Sequence, residues 1–130
     1  MNIAIVGATG NVGRKILEVL EKKGLAIDKL YLLASSRSAG SKISFNGNEH
    51  EVIDLETFDF SKVKISFFAA GGKISENFAE IAAKHSLVID NSSFYRMDPD
   101  VPLIVPQVNS DQLNNMKKNI IANPNCSTAQ

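Results

Sequence analysis

Ile3-Ala4-Ile5-Val6-Gly7-Ala8-Thr9-Gly10-Asn11-Val12-Gly13 decides the fold of this chain. Four apolar residues in a row suit a strand buried on both faces, as in a parallel sheet covered by helices. The glycines that follow have the spacing G-x-x-G-x-x-G and lead into a segment of helical periodicity. In a strand–turn–helix setting Gly7 permits the tight turn and Gly10 lets the backbone approach a pyrophosphate. Gly13 lets the helix pack on the strand, with the helix N-terminus facing the phosphates. The bland alternative is a glycine-rich turn that serves packing alone.

Outward from this segment, the spacing predicts a helix over residues 12–23, with Val12, Ile16, Val19 and Leu20 on its apolar face and Gly24 as its C-cap. Residues 30–34 read as a second buried strand, followed by a polar loop over 35–41. Residues 42–45 and 49–53 flank Asn46-Gly47, the strongest short hairpin signal, and read as an edge decoration. A core strand over 64–69 precedes a crossover helix with Ile74, Phe78, Ile81 and Ala82 on one face, then a strand over 87–90. Pro99, Pro102 and Pro106 forbid a long helix between Asn91 and Asn109. A short helix over 111–117 and a strand over 119–122 complete the pattern. This alternation is that of βαβ units. The expected fold class is α/β, a doubly wound, mostly parallel Rossmann-type sheet with a small hairpin insertion.

Composition narrows the function classes. The 130 residues make one domain, with 44% hydrophobic and 22% charged residues. Fourteen basic residues balance fourteen acidic ones, so no net field draws the chain to nucleic acid or to an anionic membrane, and neither partner is expected. Apolar runs are too short to span a bilayer, and Met1 leads straight into a strand pattern, so no signal peptide is expected. One cysteine allows no internal disulfide, and the cytoplasm is the expected compartment.

The cofactor is read at the end of the second strand, where an NAD site places an Asp or Glu. Here Ala34-Ser35-Ser36-Arg37-Ser38 carries no carboxylate. The Arg37 guanidinium and the hydroxyls of Ser36 and Ser38 suit a 2′-phosphate, so NADP is preferred over NAD. Gly71, after a core strand, would let backbone approach a ligand, or would simply cap the strand. Arg96, beyond Asp90-Asn91-Ser92-Ser93, could hold an anion or form a surface salt bridge; spacing does not separate these. Cys126 follows the turn Asn123-Pro124-Asn125 and reads as lying in the first turn of a helix, where a thiolate is stabilised. A thiol beside a nicotinamide implies aldehyde or acyl redox chemistry, against the commoner buried structural cysteine. His50 and His85 read as surface residues that do not meet Cys126, so the general base is missing. A chain ending so soon after a reactive residue reads as the N-terminal piece of a longer enzyme.

These blocks together resemble aspartate-β-semialdehyde dehydrogenase over essentially the whole chain. The resemblance rests on Gly7 to Gly13, Ala34 to Gly40, Asp90 to Ser93, Arg96, Val101 to Pro106 and Asn123 to Thr128. It implies that Cys126 is the thioester-forming nucleophile, that Thr9, Gly10, Asn11 and Val12 hold the cofactor phosphates, and that Arg37 with Ser38 holds the 2′-phosphate. Arg96 would bind the phosphate of an acyl-phosphate substrate, aspartyl phosphate. The implied reaction is NADPH-dependent reduction of 4-phospho-aspartate to the semialdehyde, in lysine, threonine and methionine synthesis, by a homodimer. The second, substrate-binding and dimerising domain would be absent from residues 1–130. Gln107 and Ala69-Ala70 depart from the family's usual Glu and Ser-Ala. An N-acetyl-γ-glutamyl-phosphate reductase is the nearest alternative, and a non-catalytic NADP-binding module the alternative of another class.

Overall fold

A computed structural model describes residues 1–101 and 118–123 of the chain. The opening apolar run forms β1 (Asn2–Val6), which passes through the glycine turn into α1 (Asn11–Lys23) and returns as β2 (Lys29–Ala34). Asn46 and Gly47 take φ of 51° and 79° and close the hairpin of β3 (Lys42–Phe45) and β4 (Asn48–Asp54). A second crossover follows as β5 (Ile65–Phe68), α2 (Gly72–Ala83) and β6 (Leu87–Asp90), and β7 (Ile120–Ala122) lies beyond β6.

The strands are ordered β3-β4-β2-β1-β5-β6-β7, and every pairing except β3 with β4 is parallel. From β1 the chain steps to one side and later resumes on the other, so the order reverses between β1 and β5. Ligands of such sheets bind in the crevice outside the carboxyl ends at that reversal. The hairpin lies at the sheet edge, as expected, but is more than a decoration. Its second strand joins the main sheet, with Leu32 opposite Val52 and Ala34 opposite Asp54, and only β3 stands outside the parallel array.

Because β1→β2 and β5→β6 step in opposite directions, right-handed crossovers place their helices on opposite faces. Leu17 and Leu20 of α1 pack with Ile3, Ile5, Leu32 and Val52. Ala79 and Ala82 of α2 pack with Ala4, Val6, Leu33, Phe68 and Val88. Both helices keep part of the predicted face, with Leu20 and Ala82 buried and Ile16, Ile74 and Phe78 packed on the core, but turn slightly away from the rest of it. α1 buries Gly13, Leu17 and Leu20, leaving Val12 and Val19 at 40% and 42% exposure; α2 buries Ser75, Ala79 and Ala82 and exposes Ile81.

The cause for α1 is steric. A Cβ on Gly13 would lie 2.2 Å from the Gly7 carbonyl oxygen and 2.9 Å from the Ala8 Cα. That backbone contact fixes the rotation of the helix, and i, i+4, i+7 counted from residue 13 falls on Leu17 and Leu20. Gly7 is confined from the other side. At φ 90° its Cβ would lie 2.7 Å from the Ala69 carbonyl. In α2 the small residues lie inward, and Ser75 meets a buried partner, Asp90, through a 2.7 Å hydrogen bond.

Gly13→Ala should therefore lower the unfolding free energy by about 3 kcal/mol, the upper part of the range for forcing atoms into a packed contact. Gly10→Ala should change it by less than about 1 kcal/mol, since a Cβ there would rest 3.6 Å from the Gly7 oxygen at ordinary contact distance. Urea unfolding of both variants measures this; equal losses would show that the helix–strand contact does not set the packing.

Candidate functional site

At the carboxyl ends of β1, β2, β4 and β5 the sheet opens into a cleft of about 280 Å³, whose lining includes Gly7, Thr9, Gly10, Ser35, Leu55 and Ile74. Its floor is the glycine turn. The Gly10 N–H is satisfied by the Gly7 carbonyl at 3.1 Å, and no side chain caps α1. The N–H groups of the first turn, from Asn11 to Gly13, are the ones a helix leaves without intrahelical partners. An uncapped helix start beside a glycine-rich turn fits a diphosphate. Thr9 is fixed from behind, its carbonyl accepting from Arg14 Nε at 3.3 Å. Gly13 lies beneath the turn and serves it by packing. Asn11 and Val12 stand exposed at the helix start.

The loop after β2 is a tight turn in which the N–H groups of Ser38 and Ala39 both donate to the Ser35 carbonyl, at 2.9 and 3.1 Å. Ser35 borders the main cleft, and Ser36 borders an adjoining recess shared with Asp54, Leu55 and Glu56. Arg37 is exposed on this turn and forms no ion pair among the described residues. Asp54 and Leu55 are cleft-side residues that the sequence reading missed. The available signal was the end of the second hairpin strand. The Asp54 carboxylate accepts from the Glu56 N–H at 3.0 Å and so shapes the recess wall. Gly71 is the N-cap of α2 at φ 90°, a conformation that favours glycine; Ala69 and Ala70, just before it, line the cleft.

A second polar cluster sits where β6 and β7 end. Arg96 donates from Nε to the Asn123 carbonyl at 3.3 Å and from Nη2 to the Asn91 carbonyl at 3.5 Å. Asn123 Nδ2 donates to Asn91 Oδ1 at 2.8 Å. Among the described residues no carboxylate pairs with Arg96, so its charge is not neutralised there and the surface salt-bridge alternative finds no partner. The loop carrying it is clamped from the far side by Lys118, whose Nζ lies 3.1 Å from both Asp98 Oδ2 and Glu80 Oε1 and 5.8 Å from the Tyr95 ring centroid. The Asp100 N–H and then Lys118 hold the Asp98 carboxyl below its ordinary range, while Asp98 and Glu80 raise Lys118.

Cys126 and Gln107, with the expected helix over 111–117, lie outside the described residues. His50 is half-buried, edge-on to Phe45 with ring centroids 6.1 Å apart, and His85 is exposed; neither lines the cleft. Among the described residues no group of acidic, histidine or cysteine side chains could hold a metal ion, and no helix is long and apolar enough to cross a membrane.

The reversal of strand order, the uncapped helix start and the glycine-lined cleft define a dinucleotide-binding domain of the doubly wound α/β class. The family described as "Semialdehyde dehydrogenase, NAD binding domain" matches residues 2–116, and the chain belongs to that family. It is 50% identical, over 99% of its length, to an aspartate-semialdehyde dehydrogenase of Shewanella sp. (strain DB6705), of which it covers 39%. Its fold superposes on aspartate semialdehyde dehydrogenase II of Vibrio cholerae, solved complexed with ASA, with a TM-score of 0.94 and 50% identity, covering 98% of this chain and 42% of that one. The Candida albicans enzyme solved with NADP gives a TM-score of 0.78 at 28% identity, covering 99% and 44%. The chain thus spans about two fifths of the length of the relatives it matches.

The Lys118 clamp makes stability depend on pH with a definite sign. Asp98, lowered in the folded state, contributes stability that is present above its ordinary range and lost as pH falls through its folded value. Lys118, raised, contributes stability that is lost as pH rises through its folded value. The stability difference between the wild type and Lys118→Met should therefore be largest near neutrality and shrink at both extremes, as read from urea midpoints. A constant difference across pH would show that the clamp acts by packing alone.

Proposed function

We propose that the protein carrying this chain performs the NADP-dependent, phosphate-coupled interconversion of aspartyl phosphate and aspartate semialdehyde, with this chain as its cofactor-binding part. The observation that carries the reading is Arg96. It is a half-buried guanidinium oriented by two backbone carbonyls, with no acid partner among the described residues, at the carboxyl edge where the cleft also opens. A dinucleotide-binding module without a substrate of its own has no use for a second anion-binding group there. The relatives named aspartate-semialdehyde dehydrogenase supply the substrate class.

In this reading the first-turn N–H groups of α1 hold the cofactor diphosphate, and Ser36, Arg37 and Ser38 hold the 2′-phosphate, which favours NADP over NAD. NADPH, when bound, supplies hydride to the acyl carbon. Arg96 binds the phosphoryl group of the acyl phosphate. Cys126 follows Asn123, whose carbonyl holds Arg96, by three positions, at most roughly 11 Å of extended chain, and in this reading its thiolate meets the acyl group whose phosphate rests on Arg96. Sulfur attacks the acyl carbon, the C–S bond forms, and the C–O bond to phosphate breaks with departure of inorganic phosphate. Once the thioester is reduced, cleavage of its C–S bond would return the Cys126 thiolate and release the aldehyde. Neither histidine lines the cleft, so no base is assigned within this chain. The reading places the protein in the cytoplasm as a homodimer, in the synthesis of lysine, threonine and methionine.

NADPH formation from aspartate semialdehyde and NADP by the full-length protein should require inorganic phosphate; formation without it would overturn the reading. Cys126→Ala should abolish turnover and leave NADP binding intact, and an unchanged rate would remove the nucleophile. Arg37→Ala should weaken NADP binding about tenfold, as loss of one charge-assisted contact does, with NAD binding much less affected. Equal loss for both cofactors would remove the 2′-phosphate assignment.

A further inference from the structure

Asp90, at the end of β6, is fully buried, and no cation accompanies it among the described residues. Its Oδ1 accepts from the Ser75 hydroxyl at 2.7 Å and from the Ser92 N–H at 2.9 Å, and its Oδ2 accepts from the Ser92 hydroxyl at 2.9 Å. A buried carboxyl needs such donors to offset its lost hydration, and an apolar residue would fill the strand end without them. What the carboxyl adds is direction. It ties the first turn of α2 to the loop that leaves β6, and Ser92 Oγ passes the connection on by accepting from the Phe94 N–H at 3.2 Å.

Both carbonyls that orient Arg96 are adjacent to this residue. Asn91 follows Asp90 in the chain, and its N–H is fixed to the Phe68 carbonyl at 2.9 Å. Asn123 donates its N–H to the Asp90 carbonyl at 2.8 Å. The side chain of Asp90 thus holds the loop, and its backbone holds β7, so the two acceptors of the guanidinium are set from one point. We infer that Asp90 and Ser92 are positioning residues for Arg96 in binding the phosphoryl group of the substrate. The inference rests on the reading of Arg96 given above. Neither residue lines the cofactor cleft, so the effect expected from them is on phosphate rather than on NADP.

The test uses the full-length protein and initial rates of phosphate-dependent NADPH formation, with inorganic phosphate as the probe. Ser92→Ala removes the hydroxyl that joins Asp90 to the Phe94 N–H. It should raise KM for phosphate about tenfold, the scale expected when a binding group is displaced by a fraction of an ångström, while KM for NADP stays within about twofold. Ser92→Thr, which restores the hydroxyl, should return most of the phosphate affinity. Asp90→Asn, which turns one acceptor into a donor facing Ser92, should act in the same direction as Ser92→Ala. Unchanged phosphate KM in Ser92→Ala and Asp90→Asn overturns the inference whatever happens to their melting temperatures, and so does a parallel rise in both KM values. Arg96→Ala separates the two levels. If it raises phosphate KM while those variants do not, only the positioning role fails; if it leaves phosphate KM unchanged, the reading of Arg96 fails and takes the inference with it.

Discussion

Two pieces of backbone, at Gly7 and Gly13, touch where no side chain could fit, and the geometry of the amino-terminal half follows from that contact. The Gly7 carbonyl and the Gly13 Cα approach so closely that even a methyl group is excluded. This brings α1 onto β1 at the very start of the helix rather than further along it. It sets which side of the helix meets the sheet, and it holds the uncapped first turn at the carboxyl edge of β1. Gly7 is pressed from the other side by the Ala69 carbonyl at the end of β5. The turn is therefore wedged between two strands, at the place where the strand order reverses. A diphosphate site built from backbone needs such rigidity, because the N–H groups that would hold the anion cannot adjust by changing rotamer.

The opposite end of the same edge is organised by polar side chains. There a buried carboxyl gathers hydroxyl and N–H donors, and the loop so anchored presents a guanidinium held, among the described residues, by two backbone carbonyls. The contrast is chemical. A dinucleotide is bound along its length and can be met by backbone, whereas a single phosphoryl group must be placed against one reacting carbon and needs a directional, charged partner. Lys118 ties Asp98 of this loop to Glu80 of α2.

Much of this was legible in the residues. The strand run, the glycine spacing and Asn46-Gly47 act through local backbone sterics, so β1, the turn and the hairpin appear within a residue or two of their expected places. The helix faces were legible only in part. Apolar periodicity ranks Val12, Val19 and Ile81 above Gly13, Ser75 and Ala79, yet close packing selects the small residues, and the large ones are displaced towards solvent. The role of β4 was hidden because a hairpin signal says how two strands join and nothing about what else the second strand pairs with. Asp54 and Leu55 were missed with it. The anchoring of Arg96 by Asn91 and Asn123, 32 residues apart, depends on β6 and β7 being neighbours, which no local pattern encodes.

The central claim is that the first turn of α1 receives the diphosphate bridge, and the turn after β2 the 2′-phosphate, of one NADP molecule. Amide chemical shifts of the isotopically labelled chain, followed through an NADP titration, test it directly. The largest changes should fall on Gly10 to Gly13 and on Ser35 to Ser38, with Val19 and Ile81 on the outer helix faces unmoved. Saturable binding that leaves the Gly10 to Gly13 amides in place would contradict the account.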